Sequence, residues 1–256
     1  MQQRLTYLGF MLRVGITFLA LAGSAVAQSE VDARHDLIYQ VSTLPALSSG
    51  VFDGEVTIAD LTRYGDFGLG TFNGVDGEMI VLDGNVYQVR ADGVARIAKA
   101  STRTPFALVT PFEADITAAI DTPMTCKELE GLLDTLLPSK NAFYALKIEG
   151  RFQTLETRSE ARQQPPYTTL SEVLADQVVF DLGQTSGTMV GFWFPEYAEG
   201  VNLPGYHFHV VSEDRSRGGH VLDCRVQQAD IAIDVSDQLT IDLPEDRAFL
   251  EADLSK

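Results

Sequence analysis

The chain has 256 residues, 45% of them hydrophobic, which is enough for one large domain or two small ones with a real core. Its 36 acidic and 19 basic residues leave a net charge of −17, which favours solubility and opposes association with nucleic acid or anionic membrane surfaces. Two cysteines, Cys126 and Cys224, are too few for the disulfide framework of a small secreted scaffold.

The first stretch has the order of a secretory signal. Arg4 and Arg13 make it basic, an apolar run from Val14 to Ala22 follows, and Ala25-Val26-Ala27 supplies the small residues of a cleavage site. The run is shorter than the roughly 20 residues that a membrane span needs. Residues 1–27 are therefore expected to be removed, leaving an exported chain, periplasmic or secreted, that starts at Gln28. Losing two arginines would move the net charge from −17 to −19. In so negative a field a small anionic substrate needs a local cation, so an arginine near a reactive centre would matter.

Asp36–Val41 and Gly50–Glu55 are short segments around a Ser/Pro-rich turn. Ile58 to Gly65 reads as a short helix with Thr57 as its cap. From Asp66 to Val89 glycines alternate with apolar residues, the pattern of a β-meander, with Asp83-Gly84-Asn85 at a tight hairpin turn. Glu78 opens the apolar strand Met79–Leu82, where its position alone suggests a solvent-facing strand end. Thr104–Val109 is a strand. Thr125 to Leu137 is an amphipathic helix with a Thr125/Glu128 capping box, a stripe of Leu129, Leu132, Leu133 and Leu136, and Pro138 to stop it.

Phe143 to Thr157 alternates like two strands broken at Gly150. Glu160 to Tyr167 is a polar connection that suggests a boundary between an N-terminal half, 28–160, and a C-terminal half, 161–256. Leu170–Gln177 is a helix, and Val178–Phe180, Gly187–Phe194 and Ala229–Asp234 are strands. The pattern predicts an α+β protein of two subdomains built on mixed β-sheets with a few helices.

Three of the four histidines lie between Gly205 and Cys224. His207 and His209, two apart on a strand, project from the same face. After a polar loop and Gly218-Gly219, His220 opens a second apolar run. A hairpin would return it to the first pair, so that three imidazoles converge as a metal site on a C-terminal β-hairpin. Three neutral imidazoles with a position left open are the donor set of a catalytic zinc ion, Zn2+. Cys224, four residues beyond His220, is a weaker candidate for a fourth ligand, because two strand pleats separate the pair by roughly 13 Å.

These stretches together resemble the α-acetolactate decarboxylase family. The resemblance rests on Gly187 to Phe192, on Tyr206-His207-Phe208-His209, and on Asp214-Arg215-Ser216-Arg217-Gly218-Gly219-His220. Upstream it extends through Thr157-Arg158-Ser159 to Phe67–Phe72 and Gly77-Glu78-Met79-Ile80. It implies a dimeric enzyme that converts 2-acetolactate to acetoin and carbon dioxide, with zinc on His207, His209 and His220. It also implies Glu78 as an active-site acid, Arg158 as a catalytic and substrate-binding arginine, and Thr71 as a pocket residue that binds substrate. The family's second glutamate, near the C-terminus, has no secure counterpart here; Glu251 precedes its expected place.

The chemistry suits these residue types. Loss of carbon dioxide from a β-keto acid leaves electrons that must pass into the ketone, for which an open-coordinated metal is a sink. An arginine can hold the carboxylate, and a carboxylic acid must protonate one face of the enediolate. Two other classes fit parts of the pattern. A cupin-type barrel would use His207, His209 and Glu213, but it expects a further histidine well beyond His220, and none exists. A non-catalytic exported binding protein would carry the metal structurally.

Overall fold

The computed structural model describes residues 36–254; the expected leader and His35 lie outside them. The chain enters through β1 (Leu37–Val41) and a one-turn helix, α1 (Leu44–Ser48), capped by Thr43. β2 (Val56–Thr57) leads into α2 (Ile58–Leu61), where the Thr57 hydroxyl caps the Asp60 N–H as the sequence predicts, though the helix stops at Leu61, short of the residue before Gly65. The glycine-rich meander becomes β3 (Phe67–Thr71), β4 (Glu78–Leu82), β5 (Asn85–Val89) and β6 (Ala95–Ile97). Asp83 and Gly84 turn the β4–β5 hairpin with φ of 52° and 73°, the double positive φ of a type I′ turn. β7 (Arg103–Thr104) pairs with β2, and β8 (Ala107–Thr110) completes this half.

After β9 (Ile116–Ile120) and β10 (Met124–Thr125), α3 (Cys126–Leu136) begins with the predicted capping box. β11 (Phe143–Ser159) follows, then α4 (Leu170–Ala175), β12 (Val178–Asp181) and β13 (Thr185–Phe194). β14 (Gly205–Ser212) and β15 (Gly218–Ser236) form the histidine hairpin, and β16 (Gln238–Asp242) and α5 (Arg247–Leu250) end the described chain.

Two seven-stranded sheets result. Sheet I has the order β16-β1-β8-β3-β4-β5-β6, antiparallel except for the parallel β1–β16 pair. Sheet II runs β10-β15-β14-β13-β11-β12 with β9 on β15, and a further β15–β11 pairing closes it on itself. The sheets do not part at residue 160. β9, β10 and β11 precede that position yet belong to sheet II, and β16 returns to sheet I. A polar, proline-containing connection looks like a boundary in sequence, whereas strand partners as far apart as Leu37 and Gln238 decide which sheet a segment joins.

The expected break at Gly150 is also absent: β11 is one 17-residue strand. Gly150 lies between Gly187 and Ala229, and a Cβ there would meet the Gln228 carbonyl at 2.2 Å. The glycine permits close approach of neighbouring strands rather than a turn.

Three apolar layers fix the sheets. Phe67, Leu69, Ile80 and Leu82 of sheet I pack with Val190, Phe192, Phe194 and Val211 of sheet II. The outer face of sheet I is covered by Ile58 and Leu61 of α2, that of sheet II by Leu129 and Leu133 of α3. Cys126 and Cys224 form a disulfide, with Cα atoms 5.0 Å apart, that ties the start of α3 to β15. Leu222 is an extra residue in β15, because Val221 pairs with Thr157 and Asp223 with Glu156. That bulge turns Cys224 to the face opposite His220, so it is no metal ligand. The bridge closes a loop spanning 98 positions. A Cys126→Ser/Cys224→Ser double variant is expected to lose about 2–4 kcal/mol of stability while keeping the histidine site. A urea midpoint equal to that of the unaltered chain would contradict this.

Candidate metal centre and active-site pocket

The two sheets enclose a pocket of about 220 Å³ on their facing sides. The β14–β15 hairpin places His209 opposite His220, and His207 lies two residues along β14 on the same face. His207 Nε2 is 3.2 Å from His209 Nε2 and 3.2 Å from His220 Nδ1, and the last two atoms are 3.3 Å apart. Three ring nitrogens thus mark a nearly equilateral triangle. Metal–nitrogen bonds of about 2.0–2.1 Å in tetrahedral array need nitrogens about 3.3–3.4 Å apart. The residues fit a metal ion.

The protonation states agree. His209 Nδ1 lies 2.8 Å from the Met79 carbonyl; donating there fixes the tautomer and leaves Nε2 as a lone-pair donor toward the centre. Burial, and secondarily the Arg158 charge, lowers the His207 pKa to about 4. Burial and the neighbouring His207 hold His209 and His220 well below the ordinary imidazole value. All three rings are neutral at pH 7, the form that binds metal.

Sheet I supplies the opposite wall. Thr71 and Glu78 are paired across β3 and β4 on the face that also carries Leu69 and Ile80. The Thr71 hydroxyl donates to the Gly77 carbonyl at 2.8 Å, closing the turn that delivers Glu78. Gly77 has φ 87° and a Cβ there would meet the Val89 carbonyl at 2.2 Å, so this turn requires glycine. Glu78 is buried, not at a solvent-facing strand end. Its Oε2 lies 3.2 Å from His209 Nε2 and its Oε1 3.4 Å from Arg158 Nη1.

Glu160 also lines the pocket, and sequence reasoning missed it by assigning it to a polar connection between halves. It is 2% exposed, pairs with the Arg158 guanidinium and hydrogen-bonds to Glu78. The signal was period 2: Arg158 near the end of β11 and Glu160 just past it are i and i+2, so one facing the pocket brings the other. Two carboxyl groups can share a hydrogen bond only if one carries a proton. Burial raises the Glu78 pKa well above the usual range, the Glu160 charge adds to this, and Arg158 opposes it. Leu44 and Leu47 of α1, Leu170 and Leu174 of α4, and Leu203 form the apolar side of the pocket.

An α+β scaffold that gathers three imidazoles, an arginine and two carboxyl groups in one pocket has the make-up of an enzyme active site. Comparison with known proteins makes the class specific. The sequence model for alpha-acetolactate decarboxylase matches residues 38–256, and the chain belongs to that family. The alpha-acetolactate decarboxylase of Methanosarcina mazei is 47% identical over 221 residues, 86% of this chain and 77% of that one. That of Klebsiella aerogenes is 46% identical over 87% of this chain and 86% of its own. The crystal structure of alpha-acetolactate decarboxylase from Bacillus subtilis superposes with a TM-score of 0.84 at 40% identity, covering 86% of this chain and 94% of that one.

The cupin-type alternative does not survive. Glu213, its required fourth residue, is exposed in the loop after β14 and lines a separate cleft.

Proposed function

We propose that this chain is a zinc-dependent carboxy-lyase that converts 2-acetolactate to acetoin and carbon dioxide. The observation that carries this reading is the triangle of imidazole nitrogens facing Glu78 and Arg158, in a chain of this family. Three neutral histidines are a zinc donor set that leaves coordination positions for substrate oxygens. When bound, the ion supplies Lewis-acid stabilisation of the charge left on the ketone oxygen as carbon dioxide departs.

The rest of the work falls to the chain. Arg158 offers its guanidinium fork to the substrate carboxylate inside an otherwise acidic molecule. Glu160 holds that fork in place through its ion pair with Nη1. Glu78 is placed to deliver a proton to one face of the enediolate carbon, which sets the configuration of acetoin. The leucines of α1 and α4 keep bulk water from competing for that step.

Purified protein supplied with zinc should release carbon dioxide from 2-acetolactate and accumulate one acetoin enantiomer; recovery of unchanged substrate would overturn the assignment. Arg158→Lys keeps the charge and loses the fork, so KM is expected to rise about tenfold or more. An unchanged KM would remove Arg158 from substrate binding.

Export and self-association belong to the same proposal. A signal of the order seen in residues 1–27 supports cleavage after Ala27, and intact-mass analysis of exported protein should find Gln28 at the N-terminus; retention of residues 1–27 would contradict it. The family resemblance supports a homodimer, which sedimentation would distinguish from a monomer.

A further inference from the structure

The outer face of sheet I, opposite the metal centre, carries a second concave surface of about 510 Å³. Arg90, Arg96, Lys99, Arg103 and Arg162 line it, and Asp76 is its one acid among the described residues. That composition inverts the chain's own, which has 36 acids to 19 bases. Arg90 is neutralised by Asp76 at 2.8 Å, and Arg96 by Asp92 at 2.8 Å. Lys99, Arg103 and Arg162 have no acidic partner among the described residues.

Backbone hydrogen bonds fix where these cations are rooted. The turn between β3 and β4 accepts from Gln163 N–H through the Gly74 carbonyl at 2.7 Å, and Asn73 N–H donates to the Arg103 carbonyl at 3.1 Å. The Arg162 side chain lies against Gly74, where a Cβ would stand 3.3 Å from its Cγ. Three unpaired like charges facing one groove repel one another, and in a chain with surplus carboxylates they could readily have been paired. A multivalent anion relieves that repulsion.

We infer that this groove is a binding site for a small anion carrying two or more phosphate groups. Guanidinium forks match phosphate oxygens two at a time, and the groove is too large for a single phosphate. Nucleic acid, the larger polyanion, is disfavoured by the net charge of the whole chain. The site is distinct from the catalytic pocket, though the same turn serves both: Val75 lines the pocket, whereas Asn73 and Asp76 line the groove.

Calorimetric titration of the zinc-loaded full chain with fructose 1,6-bisphosphate tests this, with zinc content measured before and after. Saturable binding is expected, weakening as salt is raised. Arg103→Gln and Arg162→Gln should each lower the affinity on the order of tenfold, and Lys99→Gln with Arg103→Gln should lower it further. Lys147→Gln, on sheet II, should leave it unchanged. These residues are exposed, so the fold is not at risk. Absence of saturable binding, equal affinity in the Arg103→Gln chain, or association only with phosphatidylglycerol vesicles would overturn the inference. Decarboxylation is not the readout, so failure here leaves the proposed activity untouched.

Discussion

Replacing His220 by Ala is expected to abolish metal binding and to lower decarboxylation at least about 10³-fold, the several kcal/mol that a Lewis acid supplies to the transition state. The loss should not come from unfolding. His220 pairs with His209 and Arg158 through backbone positions that alanine preserves, and its ring faces the pocket. His207 and His209 would remain 3.2 Å apart, two donors where three are needed. His207→Ala and His209→Ala should behave alike. His35→Ala, at a position outside the described residues, is expected to lose neither metal nor activity.

The same centre sets a pH dependence. Free imidazoles protonate near 6.5, which by itself predicts metal loss as pH drops below that value. Burial shifts the window: with His207 at about 4 and its partners also lowered, metal should be retained well below pH 6.5 and released as pH approaches 4. For the metal-free protein, the unfolded chain takes up protons below about 6.5 while the folded histidines resist to lower pH, His207 until about 4. Stability from the neutral histidines is therefore full above 6.5 and is lost as pH falls through that interval. Metal analysis after dialysis across this range checks the first statement, and thermal melts the second. Full metal occupancy in the His220→Ala chain would sink the hairpin site.

Glu78→Gln is the second large effect. The variant is expected to keep zinc and fold and to lose about 10²–10⁴-fold in turnover, the range that a positioned acid or base supplies. Gln is nearly isosteric and can still hydrogen-bond to Glu160, so the pocket wall should persist. What it lacks is a transferable carboxyl proton. Any acetoin still formed should be of mixed configuration, because water can reach either face of the enediolate. Zinc analysis, kinetics and chiral chromatography on one sample separate the outcomes. Near-normal turnover with a single enantiomer would place the proton donor elsewhere.

Features encoded locally were legible in the sequence. The Thr125/Glu128 capping box, the Thr57 cap and the Asp83-Gly84 turn each depend on residues within four positions, and each forms as read. The histidine hairpin was legible for the same reason, since period 2 and a short polar loop bring three imidazoles together from fourteen residues, although the turn falls at 213–217 and Gly218 and Gly219 are paired within β15. What failed depended on distant partners. Gly150 reads as a break until Gly187 and Ala229 are seen against it. Cys224 reads as sharing a face with His220 until the Leu222 bulge reverses it, and its partner Cys126 is brought beside it by the β10–β15 pairing. Glu78 reads as a strand end by position alone; only resemblance gave it a role, and the packing of sheet I on sheet II buries it.

The central claim is that the metal held by the β14–β15 hairpin carries out the decarboxylation. Metal-stripped protein titrated with zinc, while carbon dioxide release from 2-acetolactate is followed, tests it most directly. Activity should start near zero and rise linearly to a plateau at about one zinc per chain, as a single three-histidine site requires, and the His220→Ala chain should stay flat throughout. Full turnover by the metal-free protein, or a rise to the same plateau by the His220→Ala chain, would contradict it.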